Sequence, residues 1–246
     1  MLGFTLRDTL GSILVYAYIA IIFLAVERLW KGDRAVGRKI LHIAMGNIVF
    51  ILILFDNWYA EVLIAGSALV FSLLITQRMQ LYFLSKLTVS PGGESVFRKA
   101  YRKIIKKLSL ISASDAGNEW GLVYYCLMFT VLAGLFAKTP VVVAVGMLPL
   151  AYGDGLGAVI GRKFGRHPYK IIDKKSVEGS LAVFAGTAVS LVVGMVYYGV
   201  QLQNALWMSA AIGIVVMVVE GVAPKGLDNL AIPLSAVVMF MLFGAL

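Results

Sequence analysis

Charge is scarce in this sequence. Of its 246 residues only 14% are charged and 60% are hydrophobic, with a mean hydropathy of +0.88, where an ordinary soluble domain carries about 25% charge. That shortage argues against a water-soluble globular protein and for an integral membrane protein. Cysteine is scarcer still: the one thiol, Cys126, lies inside an apolar run, so no intrachain disulfide can form and the residue carries no information on compartment. Also missing are the phosphate-cradling G-x-x-x-x-G-K-[S/T] and the H-R-D and D-F-G triplets, which excludes the usual soluble ATP-binding machinery. With no internal repeat and no low-complexity linker, a single membrane domain over 1–246 is the simplest organisation.

What the sequence has in quantity is apolar runs. About eight are long enough to approach a hydrocarbon core of about 30 Å at 1.5 Å per residue: 10–30, 39–56, 58–76, 120–137, 139–161, 177–199, 204–222 and 229–246. The expected fold class is therefore all-α, a polytopic helical bundle. The first run exceeds a signal-peptide core and is followed by "ERLWKGDRAVGRK" without a small-residue cleavage site, so it is expected to stay as an anchor.

The net charge of +9 is distributed unevenly. If the helices alternate from an outside N-terminus, the loops at 28–39, 77–118, 161–176 and 223–228 share one side and hold 20 of the 22 Lys and Arg, leaving Arg7 and Lys138 opposite. This asymmetry predicts that those loops are cytoplasmic and argues against nucleic acid as the partner of the basic residues. In the long loop 77–118, the segment 94–111 spaces Val96, Phe97, Tyr101, Ile104, Ile105, Leu108 and Ile111 helically, with Arg98, Lys99, Arg102, Lys103, Lys106 and Lys107 on the other side. Such a helix would lie on an anionic leaflet that attracts each nearby basic residue by about 1 kcal/mol. It can serve as an anchor alone or gate the access of lipid.

Asp154 is out of place in this chain. It falls inside the fifth apolar run, where an aspartate costs about 2.5–3.5 kcal/mol, and an intramembrane carboxylate is a functional candidate by default. Gly153, Gly157 and Gly161 recur every four residues beside it. They suit a small-residue packing seam or, with Pro149, a kink that opens a wet cavity.

The loop that follows carries Arg162, Lys163, Arg166, Lys170, Lys174 and Lys175, then "KKSVEGS" at the mouth of the next span. Ser176 can cap that helix and Glu178 suits its first turn. The exposed amides and neighbouring lysines would suit polyphosphate. Asp154 and Glu178 would approach from the two ends of one loop, and hard oxygen ligands with phosphates are what magnesium prefers. "GRKILHIAMG" (37–46) adds Arg38, Lys39 and His42 on the same side, with Lys39 and His42 on one helical face. "VEGVAPKGLDNLAIP" (219–233) adds Glu220, Asp228 and Asn229 around a Pro-Gly turn. Each also has a plain explanation, as topology marker, interfacial polar group or helix cap. Glu119 falls at the same boundary, Tyr124 and Tyr125 read as packing or interface residues, Asp56 and Glu61 as ordinary interfacial charges on the far side, and His167 as solvated.

The motifs "RKILH", "GDGLGAVIGRKFGRHPYK", "DKKSVEGS" and "EGVAPKGLDNLAIP" together resemble the polyprenol kinase family, which groups dolichol kinases, phytol kinases and CTP-dependent diacylglycerol kinases. The resemblance is specific over 150–233, moderate at 37–46 and 118–125, and weak elsewhere. It implies transfer of the terminal phosphate of a nucleotide, usually CTP, to a membrane lipid alcohol with a divalent cation such as Mg2+. By the same resemblance Asp154, Lys175, Ser176, Glu178, Asp228 and Asn229 take nucleotide or metal roles, with Arg38, Lys39 and His42 as further site residues. Phosphoryl transfer needs metal-bridged phosphates, cations on the nonbridging oxygens and an in-line hydroxyl. Asp154 with Asp228 or Glu178 would hold the metal, Lys174 and Lys175 with Lys170 the phosphates, and His42 would be the base. A CTP:phospholipid cytidylyltransferase would use the same parts. A lipid transporter would place charge near the midplane from both sides, whereas these candidates crowd one side.

Overall fold

The computed structural model describes residues 3–86, 89–90, 93–94, 99–100, 103, 120–224 and 226–244. The proposed amphipathic helix at 94–111 and Glu119 lie, apart from Glu94, Lys99, Ala100 and Lys103, outside the described residues. The chain forms helices α1 (Leu6–Leu29), α2 (Arg34–Gly46) with a 3-10 continuation (Asn47–Leu54), α3 (Trp58–Leu74) and α4 (Gln77–Lys86), then the short strand pair β1 (Val89–Ser90) and β2 (Gly93–Glu94). Further along the chain come α5 (Gly121–Phe136), α6 (Pro140–Leu148), a π-helical turn (Pro149–Asp154) and α7 (Gly155–Phe164). The antiparallel hairpin of β3 (Pro168–Lys170) and β4 (Lys174–Ser176) leads into α8 (Val177–Tyr197), α9 (Leu202–Val222) and α10 (Asp228–Leu242).

The result is an all-α membrane bundle. Among the described residues five helical segments are long and apolar enough to cross a bilayer, and Trp58–Leu74, Gly121–Phe136 and Asp228–Leu242 are shorter apolar helices at the other three expected positions. The Pro140–Phe164 span is the most buried of the five and the centre of the bundle, whereas Leu6–Leu29 is largely exposed and turns Leu10, Ile13, Leu14, Ile21 and Leu24 outward. A helix apolar on every face belongs against lipid.

Small residues let the other helices approach this central span closely. A Cβ on Gly153 would stand 2.3 Å from the Thr187 hydroxyl, and one on Gly157 would stand 2.4 Å from Val183, both on α8. The approach is mutual, since a Cβ on Gly186 of α8 would meet the Tyr152 carbonyl at 2.7 Å. On the opposite flank, Gly155 lies under Ile43 and Gly46 under Ala151, which draws α2 in. The glycines are thus a packing seam, and Pro149, which cannot donate a backbone hydrogen bond, begins the widened turn within it.

In the first turn of α1, Asp8 is fully buried. Its carboxylate accepts the backbone amides of Asp56 at 2.9 Å and Asn57 at 3.1 Å, and the Asn57 side-chain amide at 2.6 Å. Thr5 and Asp8 complete a capping box. Asp56 pairs with Arg7 at 2.9 Å, in keeping with an interfacial charge. Glu61 departs from that reading: it is buried, and one of its carboxyl oxygens has no partner among the described residues.

The seam makes an opposed pair of expectations. Gly157→Val should lower the melting temperature of the purified protein by an amount corresponding to about 1–3 kcal/mol of overpacking. Gly66→Ala, on an open face of α3 with nothing within 4 Å, should leave it unchanged or raise it. Equal tolerance of both would remove the seam as the determinant of helix approach.

Candidate active site

Asp154 is the last residue of the π-helical turn, ten residues before the end of α7, about 15 Å along the helix axis. Its side chain is 6% exposed. Burial of this order requires a compensating charge, and α2 supplies it: Lys39 Nζ donates to Asp154 Oδ2 at 2.5 Å. His42, one helical turn further along α2, brings Nε2 to 3.5 Å from the same oxygen and 3.0 Å from the Leu150 carbonyl. A carbonyl only accepts, so Nε2 carries a proton, and in the neutral ring Nδ1 is the basic nitrogen. Arg38 is half-buried on the same turn of α2.

The hairpin after α7 brings a second lysine. Tyr169 and Lys175 are paired across β3 and β4 and turn inward, while Lys170 and Lys174, paired at the next position, are exposed. The alternation of side chains along a strand separates them. Tyr169 fixes the hairpin through its hydroxyl, 2.6 Å from that of Ser180. Lys175 makes a short charge-assisted hydrogen bond to Glu220 Oε1 near the end of α9. Burial pulls the Lys175 pKa down, but the Glu220 carboxylate outweighs it, with Asp154 and Asp228 adding to the effect, and holds the ammonium above the ordinary lysine value. Ser176 caps α8 as expected, its hydroxyl accepting the Gly179 amide at 3.1 Å.

The third contribution is the turn before α10. Gly226, at φ +96°, lets the chain reverse. Asp228 Oδ1 then accepts the amides of Gly226 at 3.0 Å and Asn229 at 2.9 Å. Asp228 is buried and within electrostatic reach of Asp154, Lys39 and Lys175. Asn229 is buried too, and its Oδ1 has no partner among the described residues.

Lys39, His42, Asp154, Lys175 and Asp228 are therefore brought together, with Asn229 beside them. Glu178 is not, although it does stand in the first turn of α8. Its Oε1 lies 2.6 Å from His167 Nδ1 and its Oε2 accepts the His167 amide at 3.3 Å. His167 is 77% exposed, as expected, but engaged. Glu220 is the residue that sequence reasoning placed nearby and left without a role. An acid one turn inside the end of an apolar helix was the available signal. The Leu150 carbonyl that orients His42 left no signal at all, because backbone acceptors are not encoded by residue type. Among the described residues no three of His, Cys, Asp and Glu converge as a metal centre. Magnesium does not require that, being held by one or two carboxylates together with substrate phosphates.

The Lys175–Glu220 pair has a testable energetic signature. Glu220→Ala should lower the melting temperature by leaving a half-buried ammonium without its nearest counter-charge, and adding Lys175→Met should restore most of the loss. Since the pair raises the lysine pKa, its contribution should be complete at neutral pH and lost as pH rises through that elevated value. Additive losses in the double variant would mean that the two do not interact.

Three relatives extend over much of the chain. It is 28% identical over 234 residues to a phytol kinase of Synechocystis sp., covering 91% of this chain and 87% of that protein. It is 24% identical over 251 residues to a probable chloroplastic phytol kinase of Triticum aestivum, covering 97% and 79%. It is 27% identical over 159 residues to the CTP-dependent diacylglycerol kinase 1 of Schizosaccharomyces pombe, covering 59% and 70%. No family model and no solved structure matches. The relatives and the site motifs agree: the chain is similar to phytol kinases and to a CTP-dependent diacylglycerol kinase, which the polyprenol kinase family groups together.

Proposed function

We propose that the protein is a CTP-dependent lipid kinase that transfers the terminal phosphate of the nucleotide to a membrane isoprenoid alcohol, phytol-, geranylgeraniol- or dolichol-like. The observation that carries this reading is the convergence of Lys39, His42 and Lys175 on the buried carboxylates Asp154 and Asp228. It is the set of charges that phosphoryl transfer uses. The names of the phytol kinase and diacylglycerol kinase relatives support the same reaction.

In this reading Lys39 and Lys175 bind nonbridging oxygens of the outer phosphates, and Arg38, Lys170 and Lys174 meet the nucleotide further out. Ser176 sets the start of α8, and with it the position of Lys175. The alcohol oxygen bonds to the terminal phosphorus while the bond from that phosphorus to its bridging oxygen breaks. CDP leaves, and the alcohol proton passes to His42 Nδ1. His42 is held for this by the Leu150 carbonyl and Asp154. Asp154, Asp228 and Asn229 Oδ1, which has no partner among the described residues, form a set of hard oxygen donors that fits magnesium. A bound magnesium ion would supply neutralisation of the donor's phosphates. Glu178, turned to His167, is better suited to holding the hairpin than to ligating metal. The distribution of Lys and Arg favours a cytoplasmic site and a multi-pass chain with its N-terminus outside.

Asp154→Asn, Asp228→Asn and Lys175→Met should each lower turnover about 100-fold or more while leaving the protein inserted, because charge-assisted contacts strengthen in the transition state. The reaction itself is tested with CTP labelled separately at its inner and outer phosphorus and a panel of phytol, geranylgeraniol, polyprenols, diacylglycerol and phosphatidic acid. Only the outer label should enter lipid, with an isoprenoid alcohol preferred. Inner label in lipid, with phosphatidic acid the best acceptor, would instead mean a cytidylyltransferase. Sidedness is read from a cysteine at His167 in a Cys126→Ser background, which should resist an impermeant thiol reagent in intact cells.

A further inference from the structure

Beside the charged cluster the bundle keeps a second, uncharged set of polar atoms. The Tyr18 hydroxyl donates to the Ala44 carbonyl at 2.8 Å and accepts from Asn47 Nδ2 at 3.1 Å, and the Tyr152 hydroxyl donates to Asn47 Oδ1 at 2.5 Å. Those groups satisfy one another. Tyr125 does not share in this: its hydroxyl is buried with no partner among the described residues, although Tyr18 and Tyr152 are within electrostatic reach. Its ring packs against that of His42, with centroids 4.5 Å apart. Further along the same helix, Met128, Phe129 and Leu132 are buried and apolar.

A buried hydroxyl without a partner is destabilising, and phenylalanine would fill the same space without that cost. The tyrosine therefore has a reason to be there other than packing. Its position narrows the reason. The ring of Tyr125 touches the ring of His42, and His42 reaches Asp154, so a polar atom bound at the Tyr125 hydroxyl arrives on the uncharged flank of the cluster.

We propose that the Tyr125 hydroxyl is the docking point for the hydroxyl of the lipid substrate, and that this substrate is a long-chain alcohol whose terminal oxygen is its only polar atom. The inference rests on the kinase reading for its chemistry and narrows its substrate class. A hydroxyl both donates and accepts, so it satisfies a tyrosine and still offers its oxygen for reaction. One hydroxyl without a partner among the described residues, between the His42 ring and the apolar Met128, Phe129 and Leu132 of its own helix, matches one polar atom at the end of an apolar ligand.

The test is Tyr125→Phe in the full-length, purified protein. The variant should melt at or above the wild-type temperature, because it loses only an unpaired oxygen. Its KM for geranylgeraniol should rise about three- to ten-fold, the loss of one neutral hydrogen bond, with the KM for CTP unchanged. Geranylgeraniol alone should raise the melting temperature of the wild type more than that of the variant. An unchanged alcohol KM, a rise confined to the CTP KM, or a markedly lower melting temperature of the variant would each overturn the proposal. A wild type that accepts dioleoylglycerol as readily as geranylgeraniol would overturn the substrate class. The thermal shift needs no phosphate transfer, so a wild type that binds geranylgeraniol through Tyr125 and transfers nothing to it would sink the kinase reading and leave the docking site standing.

Discussion

A carboxylate held in the middle of an apolar bundle must be neutralised by groups that the same fold delivers, and this protein is arranged around meeting that demand for Asp154. Neutralisation needs contact at hydrogen-bond distance, which side chains on separate helices achieve only if the helices come very close. The glycines around the π-helical turn permit it: α8 rides on Gly153 and Gly157, and α2 rides on Gly155. Lys39 and His42 arrive with the one helix and Lys175, just ahead of the other, through its hairpin. Backbone proximity and charge balance are one constraint here, since a larger residue at the seam would separate the charges it now joins.

The balance that results is short of positive charge. Lys39 and Lys175 stand among Asp154, Glu220 and Asp228, and His42 is committed through Nε2 to a carbonyl. A nucleotide triphosphate would add several negative charges to this group. The exposed Lys170 and Lys174 and the half-buried Arg38 offset part of that from outside. The remainder is the physical argument for a divalent cation at the two aspartates and the Asn229 amide oxygen.

Much of this was legible in the sequence because apolar length and intramembrane charge are strong signals. The eight helical positions followed from run length, and Asp154 stood out because nothing in packing explains an aspartate there. Ser176 as a cap followed from local chemistry alone, and so it held. What could not be read were facts of direction. Lys170, Lys174 and Lys175 look alike in a basic loop, but a three-residue strand pair turns only Lys175 inward. Glu178 and Glu220 look like equal candidates, yet one faces His167 and the other Lys175. Tyr125 read as a packing residue, which its ring is; the isolation of its hydroxyl depends on what other helices fail to bring near it.

The two ends of the bundle differ in what their polar ties are made of. At the Asp8 end a short side chain grips backbone amides of the segment that joins the 3-10 stretch to α3, so releasing it means moving main chain. At the Asp154 end the ties are the flexible stems of Lys39 and Lys175, which can change partner by rotation about side-chain bonds. Rotamer changes of accessible side chains take picoseconds to nanoseconds, whereas collective helix motions take microseconds or longer. In the proposed reaction, an exchange of the internal carboxylate for a phosphate would therefore need rotation of side chains and not movement of main chain, and a turnover limited by helix movement would have its cause in the passage of lipid or the release of product.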